Sequence, residues 1–148
     1  MTSALPPIID VAHLHALRAQ AAEGQRALHL LDVRWALDGS KGHATYLAGH
    51  LPGAVYVDLD TELAAPARPG AGRHPLPSAE DFAAALRRAG VTAGSTVVAY
   101  DDTNGAPAGR LVWMLRALGH DAAVLSGGLA AWDGALATQD ESPDAGDV

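Results

Sequence analysis

Apolar runs with no polar residue inside them recur along this chain, separated by stretches with helical spacing. "VVAY" at 97–100 is the clearest, with four consecutive apolar residues where a strand with one wet face would alternate. A strand that is apolar on both faces has to be covered on both faces. When helix-length segments separate such strands, the crossovers supply that cover and the strands come out parallel. At 148 residues the chain is long enough to bury a real core as one domain of this kind.

The same pattern divides the rest of the chain. "ALHLLDVR" at 27–34 is a compact apolar run ending in charge and reads as a buried strand. "AVYVDLD" at 54–60 alternates and reads as a strand delivered by the Pro52–Gly53 turn, and "AAVLSGG" at 122–128 reads as a last strand with its turn. Between them, Asp10 can cap a helix carrying Val11, Leu14 and Leu17 that closes near Gly24. Ser78 caps a second, with Asp81 three residues on and Gly90 as its stop. A third covers 106–118, ended by Gly119, and a short one 129–137. Residues 35–50 read as irregular, and 61–77 as a long loop holding four prolines and two glycines. The expected organisation is one domain over 1–138 followed by an acidic linker or tail over 139–148. In a parallel α/β sheet with helices on both faces, ligands bind beyond the carboxyl ends of the strands. The loops after Asp32, Asp60, Tyr100 and Leu125 are therefore the ones to inspect.

Composition removes several function classes. There is no cysteine, so there is no disulfide, no thiolate chemistry and no cysteine metal site in the chain. A net charge of −7 with dispersed arginines argues against a nucleic-acid or anionic-membrane surface. No apolar run approaches the ~20 residues of a membrane span, and "MTSALPPIID" lacks the basic and apolar regions of a secretory signal, so a cytoplasmic location is expected. The seven histidines are scattered without a His-Glu-x-x-His pattern, and neither a metal nor another cofactor is expected. Neither "SGG" at 126–128 nor the loop at 101–105 has a phosphate-loop or dinucleotide spacing, and Ser126 lacks the Gly-x-Ser-x-Gly context of a hydrolase nucleophile.

Two constellations remain. The strand–turn–helix at 97–119 is a layout that cradles an anion with backbone N–H groups. Its loop, however, opens with carboxylates: Asp101, Asp102, Thr103, Asn104 and Gly105, with Arg110 on the helix behind. The other is Asp60 at a strand end and His74 in the following loop, where a carboxylate could orient an imidazole for proton transfer. Spacing alone leaves the alternative that His74 is merely a solvated loop histidine.

"LLDVRW" (30–35), "YLAGHLPGAVYVDLD" (46–60), "HPLPSAEDFAAALRRAGV" (74–91) and "VVAYDDTNGAPAGRLVWMLRALGHDAAVLSGGLAAW" (97–132) together resemble the rhodanese domain. In particular they resemble the first, cysteine-free domain of a two-domain thiosulfate/3-mercaptopyruvate sulfurtransferase. The resemblance covers about residues 8–137 and implies a parallel five-stranded α/β sheet with helices on both faces. In active domains of the family a cysteine follows the "VVAY" strand and carries a persulfide; here Asp101 stands at that position, and an aspartate cannot carry transferable sulfur. The resemblance therefore implies a partner, a second rhodanese domain bearing the cysteine, and a small sulfur-donor anion bound between the two. In the mercaptopyruvate-using branch it implies that Asp60 and His74 assist proton transfer. A stand-alone cysteine-free binding or regulatory module is the alternative. A rhodanese-like phosphatase also needs the missing cysteine and is set aside.

Overall fold

The computed structural model describes residues 4–148. Five parallel strands form one sheet in the order β1-β5-β4-β2-β3, namely Ile8–Ile9 (β1), Leu28–Asp32 (β2), Val55–Tyr56 (β3), Thr96–Tyr100 (β4) and Asp121–Leu125 (β5). The fully buried β4 lies at its centre, paired in register with β2 from Leu28↔Thr96 to Asp32↔Tyr100 and with β5 from Thr96↔Asp121 to Ala99↔Val124. The helices are Val11–Ala22 (α1), His43–Ala48 (α2), Leu59–Glu62 (α3), Ala79–Arg88 (α4), Ala106–Ala117 (α5) and Gly128–Ala131 (α6).

Both faces of the sheet are covered, as the unbroken apolar runs require. On one face Leu31, Val97 and Ala99 pack against Phe82 and Leu86 of α4 and Leu111 and Leu115 of α5. On the other, Leu30, Val98 and Tyr100 pack against Leu14 and Leu17 of α1. The alternate residues of β4 thus feed two separate cores. Asp10 and Ser78 cap α1 and α4 by accepting from the N–H of His13 and Asp81.

Three segments differ from the reading of the bare sequence. Residues 35–50 contain α2, whose six residues between Gly42 and Gly49 are too few to show a period; its anchor is the buried Tyr46. The strand expected over 54–60 is only Val55–Tyr56. Asp58 then caps α3 by accepting from the N–H of Asp60, so Asp60 sits in a helical first turn and not at a strand end. The alternation that suggested a longer strand is an edge strand running into one turn of helix. The helix expected over 129–137 stops at Ala131, and Ala137 instead exchanges backbone bonds of 2.8 and 2.9 Å with His50.

Residues 139–148 run back along the domain. Buried His50 sets its Nε2 2.6 Å from the Gln139 carbonyl, and Glu141 N–H donates to the Tyr46 hydroxyl. Further on, Gly146 and Asp147 N–H donate to the Arg87 and Val91 carbonyls. The approach is so close that a Cβ on Gly146 would stand 1.8 Å from the Val91 oxygen.

Candidate functional site

The carboxyl ends of the strands bring the loops after β2, β3, β4 and β5 to one edge. Their foundation is a buried network of Asp32, Arg34 and Tyr100 at the ends of β2 and β4. Arg34 clasps Asp32 at 2.8–3.1 Å and donates to the Gly49 carbonyl at 2.6 Å. The Tyr100 hydroxyl donates to Asp32 at 2.7 Å and accepts from Leu51 N–H. Burial pushes the Tyr100 phenol far up, and the Asp32 charge beside it adds to the effect, so it stays a donor. Each buried polar group here has a partner, which ties β2 and β4 to the segment around residues 49–51.

Asp101 occupies the cradle at the end of β4. Its side chain is buried, and its two oxygens accept from three backbone N–H groups: Thr103 at 3.0 Å, Gly105 at 3.1 Å and Ala108 at 3.0 Å. Gly105 takes a left-handed conformation (φ 86°) as the residue before α5, with Pro107 in the first turn, where a missing N–H costs nothing. The donors that could receive an external anion at this helix end are taken by an internal one. Asn104 caps the same turn through Ala106 N–H. Asp102 turns away toward Lys41, which bonds its Oδ2 at 2.5 Å, while its Oδ1 is buried without a partner. Thr103 contributes its N–H to Asp101 and, with Asn104, Ile8, Gly109 and Ser126, borders a cleft of about 400 Å³ on the β1–β5 side. Behind this loop Gly128 (φ 57°) presses against Asp101, whose carbonyl accepts from Leu129 N–H; a Cβ on Gly128 would stand 2.2 Å from that carbonyl oxygen.

Asp60 and His74 meet on the opposite side, beyond β2 and β3. His74 Nε2–H donates to Asp60 Oδ1 at 2.7 Å. With that nitrogen committed as a donor, neutral His74 carries its free lone pair on Nδ1, the atom able to take a proton. Trp35, from the loop after β2, packs against the imidazole in a T-shaped contact at 5.3 Å. Burial tends to raise the Asp60 carboxyl, but the hydrogen bond from His74, the nearby Trp35 indole N–H, and the charges of His74 and Arg73 outweigh it and hold it below the ordinary value. Trp35 stands in the "LLDVRW" stretch, and spacing gives no sign that it meets His74, 39 positions further on.

Arg110 is not in the Asp101 loop's hydrogen-bond set. Its guanidinium reaches across to the 61–77 loop, with Nε on the Leu63 carbonyl at 2.9 Å and Nη2 on the His74 and Pro75 carbonyls at 2.9 and 3.4 Å. The structure therefore joins Asp60, His74, Trp35 and Arg110 in one group and Asp101, Thr103, Asn104 and Gly105 in another. No residue of the first group lines the cleft of the second. Among the described residues no helix is long and apolar enough to cross a membrane.

Comparison with known proteins places this arrangement. The chain is 48% identical over 123 residues to the Mycobacterium tuberculosis protein named "Putative thiosulfate sulfurtransferase SseB", covering 80% of this chain and 43% of that protein. It is 42% identical over 122 residues to the Homo sapiens 3-mercaptopyruvate sulfurtransferase, covering 79% of this chain and 39% of that one. The crystal structure of SseA from Escherichia coli, described under the rhodanese fold of 3-mercaptopyruvate sulfotransferases, superposes with a TM-score of 0.78 at 32% identity. That match covers 97% of this chain and 54% of the other. The chain thus spans about two fifths of the length of these curated relatives. Residues 14–135 match the model of the rhodanese-like domain, and with its five-stranded parallel sheet and its strand-end loop before α5 the chain belongs to that family.

Proposed function

We propose that this chain is the N-terminal, non-catalytic half of a cytoplasmic two-domain sulfurtransferase. The complete protein would take sulfur from 3-mercaptopyruvate or thiosulfate onto a cysteine of a second rhodanese domain and pass it to cyanide or to a thiol acceptor. One observation carries the reading: in a chain without cysteine, the loop that would hold the sulfur is filled by its own Asp101 carboxylate. The names of the relatives, and the fact that the chain spans only part of them, support it.

In this reading the half supplies one wall of the substrate cleft, and its chemistry is proton transfer. Asp60 holds His74 by Nε2, and His74 Nδ1 accepts a proton from a group brought by the other domain and returns it later in the cycle. Asp60 stays ionised and keeps the imidazole oriented. The test has two arms. The purified 148-residue chain, given either donor with cyanide, should form no thiocyanate above the uncatalysed rate. An antibody to this chain, used on an extract of the source cells, should detect a band about twice as long. Enzymatic thiocyanate production by the chain alone would sink the proposal. A native band of the chain's own length would leave a stand-alone binding module.

A further inference from the structure

We infer that Arg110 is a positioning residue: by clasping both ends of the loop between α3 and α4, it sets His74 against Asp60. The role it serves rests on the proton-transfer reading above, but the geometry is separate from it.

The loop has little internal structure to hold it. Among the described residues, the backbone between Ala64 and Pro77 closes on itself only through Ala65 N–H on the Pro75 carbonyl and Ala71 N–H on the Arg68 carbonyl. Its tip carries Pro69, Gly70 and Gly72, residues that shape turns and bury nothing. A loop of this kind does not by itself place a side chain to within a hydrogen-bond length, because the entropy of its open forms is not offset by burial.

Arg110 supplies what is missing. Its planar fork donates from Nε to Leu63, where α3 ends, and from Nη2 to His74 and Pro75, where the chain returns. The two ends of the loop are thereby held to one rigid group. One end carries Asp60 three residues earlier; the other is His74 itself. The arginine stands on α5, whose Leu111 and Leu115 are buried against the sheet and whose first turn is fixed by Asp101 through Ala108 N–H. A single rigid helix thus relates the filled cradle to the acid–base pair on the other side of the site. Lysine does not replace the fork, because one ammonium group cannot present two fixed, divergent N–H donors in a plane.

The test uses the 148-residue chain and needs no sulfur chemistry, so its failure is distinguishable from failure of the functional reading. R110M and R110K are compared with wild type by carboxyl-carbon NMR titration of Asp60 and by hydrogen exchange at the Ala65 amide. In wild type Asp60 titrates below the ordinary carboxylate value, held there by groups that include His74 of the same loop. Both variants should raise the Asp60 midpoint and speed exchange at Ala65 about tenfold, the effect of losing one or two ordinary hydrogen bonds at the loop base. The sheet amides should keep their wild-type positions. R110K retains the charge, so a rise in that variant comes from lost geometry and not from lost electrostatics; if R110M fails to fold, R110K carries both readouts. An Asp60 midpoint and Ala65 protection unchanged in R110K would overturn the inference.

Discussion

Replacing Asp101 by asparagine tests whether the carboxylate is a structural plug or an idle remnant at the end of β4. Asparagine has the same shape but only one acceptor oxygen. If it keeps Thr103 and Gly105 N–H on that oxygen, its NH2 faces Ala108 N–H, which now has no acceptor. An orphaned buried donor costs about 1–3 kcal/mol, and the two surviving bonds together weaken by about 1 kcal/mol on losing the charge. The total is about 3 kcal/mol, with little relief from solvent because Asp101 is only 3% exposed. For a chain of this size that corresponds to a fall in Tm of about 6–12 °C, or about 1.5 M in the urea midpoint at an m-value near 2 kcal/mol/M. Urea unfolding followed by far-UV circular dichroism measures it directly. Asn104→Ala is the internal comparison: it removes a single exposed bond to Ala106 N–H and should cost about 0.5–1 kcal/mol. A loss below about 1 kcal/mol for D101N, or a loss no larger than that of the Asn104 variant, would refute the argument that the cradle is filled from within.

Other perturbations probe the rest of the molecule. Gly128→Ala drives a Cβ into the Asp101 carbonyl at a backbone conformation that alanine disfavours, and should cost about 3 kcal/mol or more in a thermal melt, or abolish folding. Gly146→Ala should release the C-terminal segment from Val91 while leaving the sheet intact, seen as rapid hydrogen exchange at Gly146 and Asp147 against unchanged protection in β4. For Asp60, the folded-state value lies below the ordinary 3.8, so its stabilisation is present above that pH and is lost as the pH falls through the folded midpoint. The stability gap between wild type and Asp60→Asn, well under ~1 kcal/mol for so exposed a pair, should therefore close below about pH 4 in urea titrations run across that range.

How much of the site the residues announce depends on whether a constraint is local. The Asp101 loop is legible because its physics is local: a strand, a carboxylate, and three N–H donors within seven positions. The Asp60–His74 pair is legible as two residues able to meet, but the turn that holds Asp60 was misread, because Asp58 capping a four-residue helix leaves no periodic trace. The sequence groups Arg110 with the Asp101 loop, whereas its hydrogen bonds are to the 61–77 loop. On the linear chain it follows the Asp101 loop; in space its side chain extends to carbonyls 35–47 residues away. Trp35 and the Asp32–Arg34–Tyr100 network were missed for the same reason: their partners are set by which loops the sheet edge collects.

The chain by itself determined the architecture. Apolar runs too continuous for a one-faced sheet demand cover on both sides, and helix-length crossovers supply it, so a parallel α/β sheet follows from burial alone. The absence of cysteine likewise means that no cysteine persulfide forms on this chain. Only the tertiary structure decided strand order, the packing of residues 139–148 back along the domain, and the separation of the filled cradle from the Asp60–His74 pair. Those depend on contacts between positions distant in sequence, where close approaches such as Gly128 on Asp101 and Gly146 on Val91 depend on a side chain being absent, and an absent side chain leaves no pattern to read until the chain is folded.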